Sequence, residues 1–91
     1  MDAAKRLEIL TELAEEMGIE IRRAPSHGDW GEKAGAVVRL RGREIVFLDP
    51  SATPPDQAEV LAAALRQRRE LRDRYLPPEI RLLLNGGEGE F

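Results

Sequence analysis

Ala34-Gly35-Ala36-Val37-Val38-Arg39-Leu40-Arg41-Gly42-Arg43-Glu44-Ile45-Val46-Phe47-Leu48 is the stretch whose reading decides the fold. Two runs rich in β-branched and aromatic residues flank a short polar segment, the pattern of two strands joined by a tight turn. Gly42 supplies the positive φ that such a hairpin turn needs. The chain leaves the second strand through Asp49-Pro50-Ser51-Ala52 and meets Thr53-Pro54-Pro55-Asp56. Thr53 can cap a helix, and Pro54 sits where its missing N–H costs nothing. Asp56 completes a pattern like a capping box.

Working outward, Leu61, Ala64, Leu65 and the stem of Arg68 continue one face of that helix, flanked by Val60 and Leu71. The pattern predicts a helix over 54–73. Tyr75-Leu76-Pro77-Pro78 breaks it, and a short apolar helix follows over 79–84, stopped by Asn85-Gly86. Upstream, Asp2 can cap a first helix over 2–17, with Leu7, Leu10, Leu13, Ala14 and Met17 as its buried stripe. Gly18 ends it. Ile19 to Ala24 alternates as a half-buried strand, and Pro25 to Lys33 is a loop by its breakers. Residues 86–91 form a glycine-rich tail, expected to be disordered.

The expected order is α-β-β-β-α-α in one α+β domain over 1–85. A three-stranded, mainly antiparallel sheet is packed against two long helices, with a short C-terminal helix. The chain has 91 residues, enough for one modest core. It has no cysteine, which removes disulfides and thiolate zinc sites. No apolar run approaches the roughly 20 residues of a membrane span, and the N-terminus lacks the apolar core of a secretory signal. The expected location is the cytoplasm, with no membrane partner. Abundant Ala, Arg, Gly and Pro are consistent with GC-rich codons and point to a bacterial source.

Catalytic signatures are incomplete. His27, with Asp29 and Glu32, offers one imidazole and two carboxylates, short of a zinc ligand set, and reads as a solvated loop histidine. Ser26 and Ser51 lie in turns, without a nucleophile elbow. Nothing calls for a cofactor. Trp30, alone between glycines, either caps the end of the core or anchors an interface.

The arginines fall into two groups. Arg39 and Arg41 lie on one strand with Arg43 across the turn. Arg66, Arg68, Arg69, Arg72 and Arg74 load the end of the second helix. Such strips can neutralise phosphates, so a nucleic-acid module using Arg39, Arg41, Arg68, Arg69 and Arg72 is one alternative. The net charge of −3 gives it no bulk electrostatic support. The leading expectation is a non-catalytic protein-interaction or regulatory domain. It would act through a homodimer or a partner groove using Trp30, Ile80, Leu83 and Leu84, because the last helix offers more apolar surface than one small core needs.

Ile45-Val46-Phe47-Leu48-Asp49-Pro50 followed by Leu61-Ala62-Ala63-Ala64-Leu65-Arg66-Gln67 resembles the ImmA/IrrE family of zincin-like metallopeptidases. That family places a Leu-Ala-His-Glu-Leu-x-His motif on the helix after such a strand and turn. The resemblance implies a strand–turn–helix unit over Ala34 to Leu71. It also implies a degenerate, non-catalytic relative, because Ala63 and Gln67 stand where the family has its zinc-binding histidines and Ala64 where it has its glutamate. Tyr75 to Pro78 is similar to a segment of small bacterial proteins.

Overall fold

The computed structural model of the chain describes residues 1–25 and 34–85. Helix α1 runs Ala3–Glu16 and strand β1 Glu20–Arg23. Strands β2 (Gly35–Leu40) and β3 (Arg43–Leu48) are followed by helix α2 at Pro54–Leu65. A 3₁₀ turn at Arg69–Arg72 leads to helix α3, Pro78–Asn85. The expected loop at 25–33 lies, from Ser26 to Lys33, outside the described residues, as does the tail over 86–91.

Local chemistry accounts for the boundaries. The Asp2 carboxylate accepts the Lys5 amide at 2.8 Å and opens α1. At its end Gly18 takes φ 82°. The Gly18 amide donates to the Glu15 carbonyl and the Ile19 amide to the Ala14 carbonyl, both at 3.0 Å. That pair of bonds is a Schellman closure, and it aims the chain into β1. Thr53 Oγ1 accepts the Asp56 amide at 3.3 Å to open α2, with prolines in its first turn.

The sheet is mixed, with strand order β1-β3-β2. β2 and β3 form the expected antiparallel hairpin, but β1 lies parallel to β3 on its other side. This corrects the mainly antiparallel expectation, which rested on sequential strands being neighbours. The physical reason is visible in composition. Ile45, Val46, Phe47 and Leu48 are apolar on both sides and suit a central strand. Glu20, Arg22 and Arg23 suit an edge. The hairpin turn places both Arg41 (φ 53°) and Gly42 (φ 79°) at positive φ, a type I′ turn.

α2 is the second correction. It ends at Leu65, eight residues before the expected stop at 73. At 100° per residue, a straight helix continuing the Leu61–Leu65 stripe would bring Arg68 and Arg72 to the core side and carry Leu71 away from it. Instead the Gln67 and Arg68 amides bond back to Ala64 and Leu65, and Arg68 turns extended with ψ 107°. The change of phase delivers Leu71 to the core with no exposed surface. So of the two long helices expected, one has 14 residues and the other 12.

One core holds these parts together. Leu10, Leu13, Ile19, Val46, Leu48, Leu61, Leu65, Leu71, Leu76, Ile80 and Leu84 are all buried in it. α1 and α2 pack on each other and cover one face of the sheet. Ile45 is buried but outside that cluster, on the opposite sheet face.

Candidate functional site

The two edges of the sheet are the places where backbone chemistry is left open. In β2 the Asp49 amide donates to the Ala34 carbonyl at 2.7 Å, which makes Ala34 and Asp49 a hydrogen-bonded pair. Alternation along an antiparallel ladder then assigns Ala36, Val38 and Leu40 to bonding with β3. Gly35, Val37 and Arg39 turn their amides and carbonyls away from β3, toward an edge that no strand among the described residues covers. Across the ladder Val37 faces Val46 and Arg39 faces Glu44. These edge residues therefore point their side chains to the helix-covered face.

Beside this edge runs an open groove of about 570 Å³ between β2 and α2. Ala34, Gly35, Ala36 and Val37 form one wall, and Asp56, Glu59, Val60 and Ala63 the other. The lining is small or apolar, with two carboxylates at the end where α2 begins. Gly35 is required here, because a Cβ on it would lie 2.0 Å from the Phe47 carbonyl oxygen. On the outer sheet face, Val38 is 39% and Leu40 58% exposed.

Arg68 of the second arginine group meets the first group at the hairpin end of β2. Arg39, Arg41, Arg43 and Arg68 surround a depression with Glu44 at its base. Glu44 is only 7% exposed. Arg39 reaches it at 3.2 Å and Arg68 at 3.1 Å. Arg39 also donates to Gln67 at 2.5 Å, and Arg68 to the Met17 carbonyl at 3.2 Å. So these two guanidiniums fasten β2, β3, α1 and α2 to each other around one buried carboxylate. Arg41, Arg69 and Arg72 are exposed. Arg43 and Arg22 both pair with Glu20. The Arg22 hydrogen bond, with the charges of Arg22 and Arg43, holds the Glu20 carboxyl below the usual glutamate range despite slight desolvation.

Other arginines act on carbonyls. Arg66 donates to the Leu83 and Leu84 carbonyls at 2.8 and 2.9 Å. It also holds Glu59 at 2.8 Å. Arg81 reaches the Leu71 and Arg74 carbonyls at 3.0 and 2.5 Å.

Of the residues expected to carry an interface, Ile80 and Leu84 are enclosed in the chain's own core, 0% and 1% exposed. Leu83 is half-buried against the same core. Leu82 is the α3 side chain left in solvent, 63% exposed. Trp30, His27, Asp29 and Glu32 lie outside the described residues. Ala63 and Gln67, one turn apart, are exposed, and Ala63 lines the groove. Ala64 is buried. Among the described residues no group of three metal-ligating side chains occurs, and no helix is long and apolar enough to cross a membrane.

The open β2 edge was the feature the sequence reading missed. Its signal was present in Gly35 to Leu40, which has no proline and a single charge, whereas the other edge strand is mostly charged. No protein-family model, curated protein or solved structure matches this chain.

Proposed function

We propose that this is a non-catalytic protein-interaction domain whose docking element is the free edge of β2 and the groove beside it. The observation that carries the reading is the row of outward-turned backbone groups at Gly35, Val37 and Arg39. An extended segment adding to that edge satisfies these groups, and its alternate side chains enter the Ala34–Ala63 groove. The side chains around the groove suit recognition more than reaction. Alanines, glycine and valines supply shape, and Asp56 and Glu59 supply a charge preference.

A photo-reactive residue at Val38, with Arg23 as the control on β1, tests this in cells. Covalent protein adducts from position 38 and none from position 23 are expected, with the attached chain identified by mass spectrometry. Adducts from neither position, or equally from both, reject the reading.

A second reading has its own observation, the gathering of Arg39, Arg41, Arg43 and Arg68 round one depression. Under it, nucleic acid binds at the hairpin end through Arg41, extended by Arg69 and Arg72, exposed arginines that follow Arg68 in the chain. Anisotropy titrations at low and physiological salt should then show steep salt dependence. Arg41→Glu with Arg69→Glu should weaken binding at least tenfold. Arg68→Glu is unsuitable, since it also places a second carboxylate against buried Glu44.

A further inference from the structure

The β2 edge and α2 run in the same sense, and their charges are polarised along that direction. Asp56 and Glu59 lie beside Ala34 to Val37 at one end. Arg39 bonds to Gln67 at the other end, with Arg41 nearby in sequence, while Arg66 pairs with Glu59 and leaves Asp56 to mark the acidic end. The two elements are also matched in length. Asp56 to Leu65 spans about 14 Å of helix, and Gly35 to Arg39 about 13 Å of strand. Turning this surface over about an axis through Val37 lays its acidic end on its basic end.

From this we infer that the occupant of the β2 edge is a second copy of the same chain, paired antiparallel across a two-fold axis at Val37. The inference rests on the docking role proposed above. Register supports it. Outward-turned residues must pair with outward-turned residues in an antiparallel ladder. Pairing Val37 with Val37, Gly35 with Arg39 and Arg39 with Gly35 uses all three, whereas any shift leaves at least one unpaired or reaches the turn at Arg41. In this register each Arg39 stands opposite a glycine, so no side chain blocks it. It faces the partner groove that Asp56 and Glu59 line. Its side chain is 64% exposed, and while Nε holds Glu44 a terminal nitrogen can exchange Gln67 for a carboxylate across the axis. The two three-stranded sheets become one of six strands, and the same patch serves both subunits, as a two-fold interface requires.

Light scattering should give a mass near twice the 10.2 kDa of the chain. Val37→Pro removes an amide that β3 does not use, so the fold should survive by circular dichroism while self-association weakens at least tenfold. Charge removal gives an independent reading. A chain with Asp56→Asn and Glu59→Gln, and another with Arg39→Gln, should each self-associate poorly. Mixed together they should form a heterodimer, because it keeps one attractive cross-axis contact that neither homodimer has. Loss of folding in Val37→Pro would leave that mixing experiment to decide.

A wild-type chain that stays monomeric at millimolar concentration overturns the inference. So does a dimer indifferent to both sets of changes. In either case, adducts from position 38 to a different protein would keep the docking reading alive. An absence of adducts would remove both.

Discussion

The two edges of this small sheet are treated in opposite ways. β1 has four residues, Glu20, Ile21, Arg22 and Arg23, and ends just before Pro25. The Ala24 amide donates to the Leu48 carbonyl, so only Ile21 and Arg23 of β1 turn their backbone groups outward. Charged side chains, short length and a nearby proline all discourage pairing there. β2 has six residues, no proline, and Arg39 as its one charge. It is flanked by a groove, and its one ion pair, Arg39 with Glu44, ties it inward to β3. The contrast teaches that the fold can blunt an edge with its own residues, and that among the described residues nothing does so for β2.

The most disruptive way to break this contrast is to dislodge β2 itself. Gly35→Ala forces a methyl group into the Phe47 carbonyl, and a loss of about 3 kcal/mol is expected in urea unfolding. A smaller loss should follow Arg68→Ala, about 2 kcal/mol, because it strips one of the two guanidiniums from buried Glu44 and releases the end of α1 at the Met17 carbonyl. Val37→Lys transfers the protection of β1 to β2. It should change stability by no more than about 0.5 kcal/mol, since the side chain is 38% exposed. The same change should abolish edge adducts from position 38.

Arg41→Asn should sharpen the open edge by straightening its hairpin. It replaces an arginine at φ 53° with a residue that tolerates that region, for a gain of up to about 1 kcal/mol. The smallest effect concerns β1. The folded Glu20 pKa is depressed by Arg22 and Arg43. Its contribution is therefore present above the unfolded glutamate value of about 4.3 and lost as pH falls through the lower folded value. Glu20→Gln should remove that slope from an acid titration of stability and leave the neutral-pH value nearly unchanged.

Much of the fold was legible because its signals are local. Asp2, Gly18, Gly42 and Thr53 act on their own neighbours within a few residues, and each marks a real boundary. The parallel pairing of β1 was not legible from adjacency, because it depends on which strand is most apolar once all three compete for the centre. The end of α2 was missed because Arg68 can lie along a helix face in a wheel diagram. What decides its conformation is a carboxylate 24 residues away in sequence. The same distance in sequence hid the role of the arginines. Arg66 and Arg68 read as part of a basic strip, but their partners are Glu59 and, supplied by other elements, backbone carbonyls and Glu44. Ile80 and Leu84 read as surplus apolar surface for the same reason. The space they fill is made by α2 and the Arg69–Arg72 turn, and no local pattern reports it.

The Arg66 contacts with Leu83 and Leu84 have a consequence for the order of events during synthesis. The guanidinium emerges from the ribosome before the two carbonyls it will hold, and Ile80 and Leu84 arrive last of all the core residues. Until α3 has been made, Leu61, Leu65 and Leu71 lack part of their cover. The nascent chain then carries an incomplete apolar surface, with the outer edge of β2 beside it, until α3 has been made. Closing this core thus waits for α3, which one arginine joins to a part of the chain made earlier.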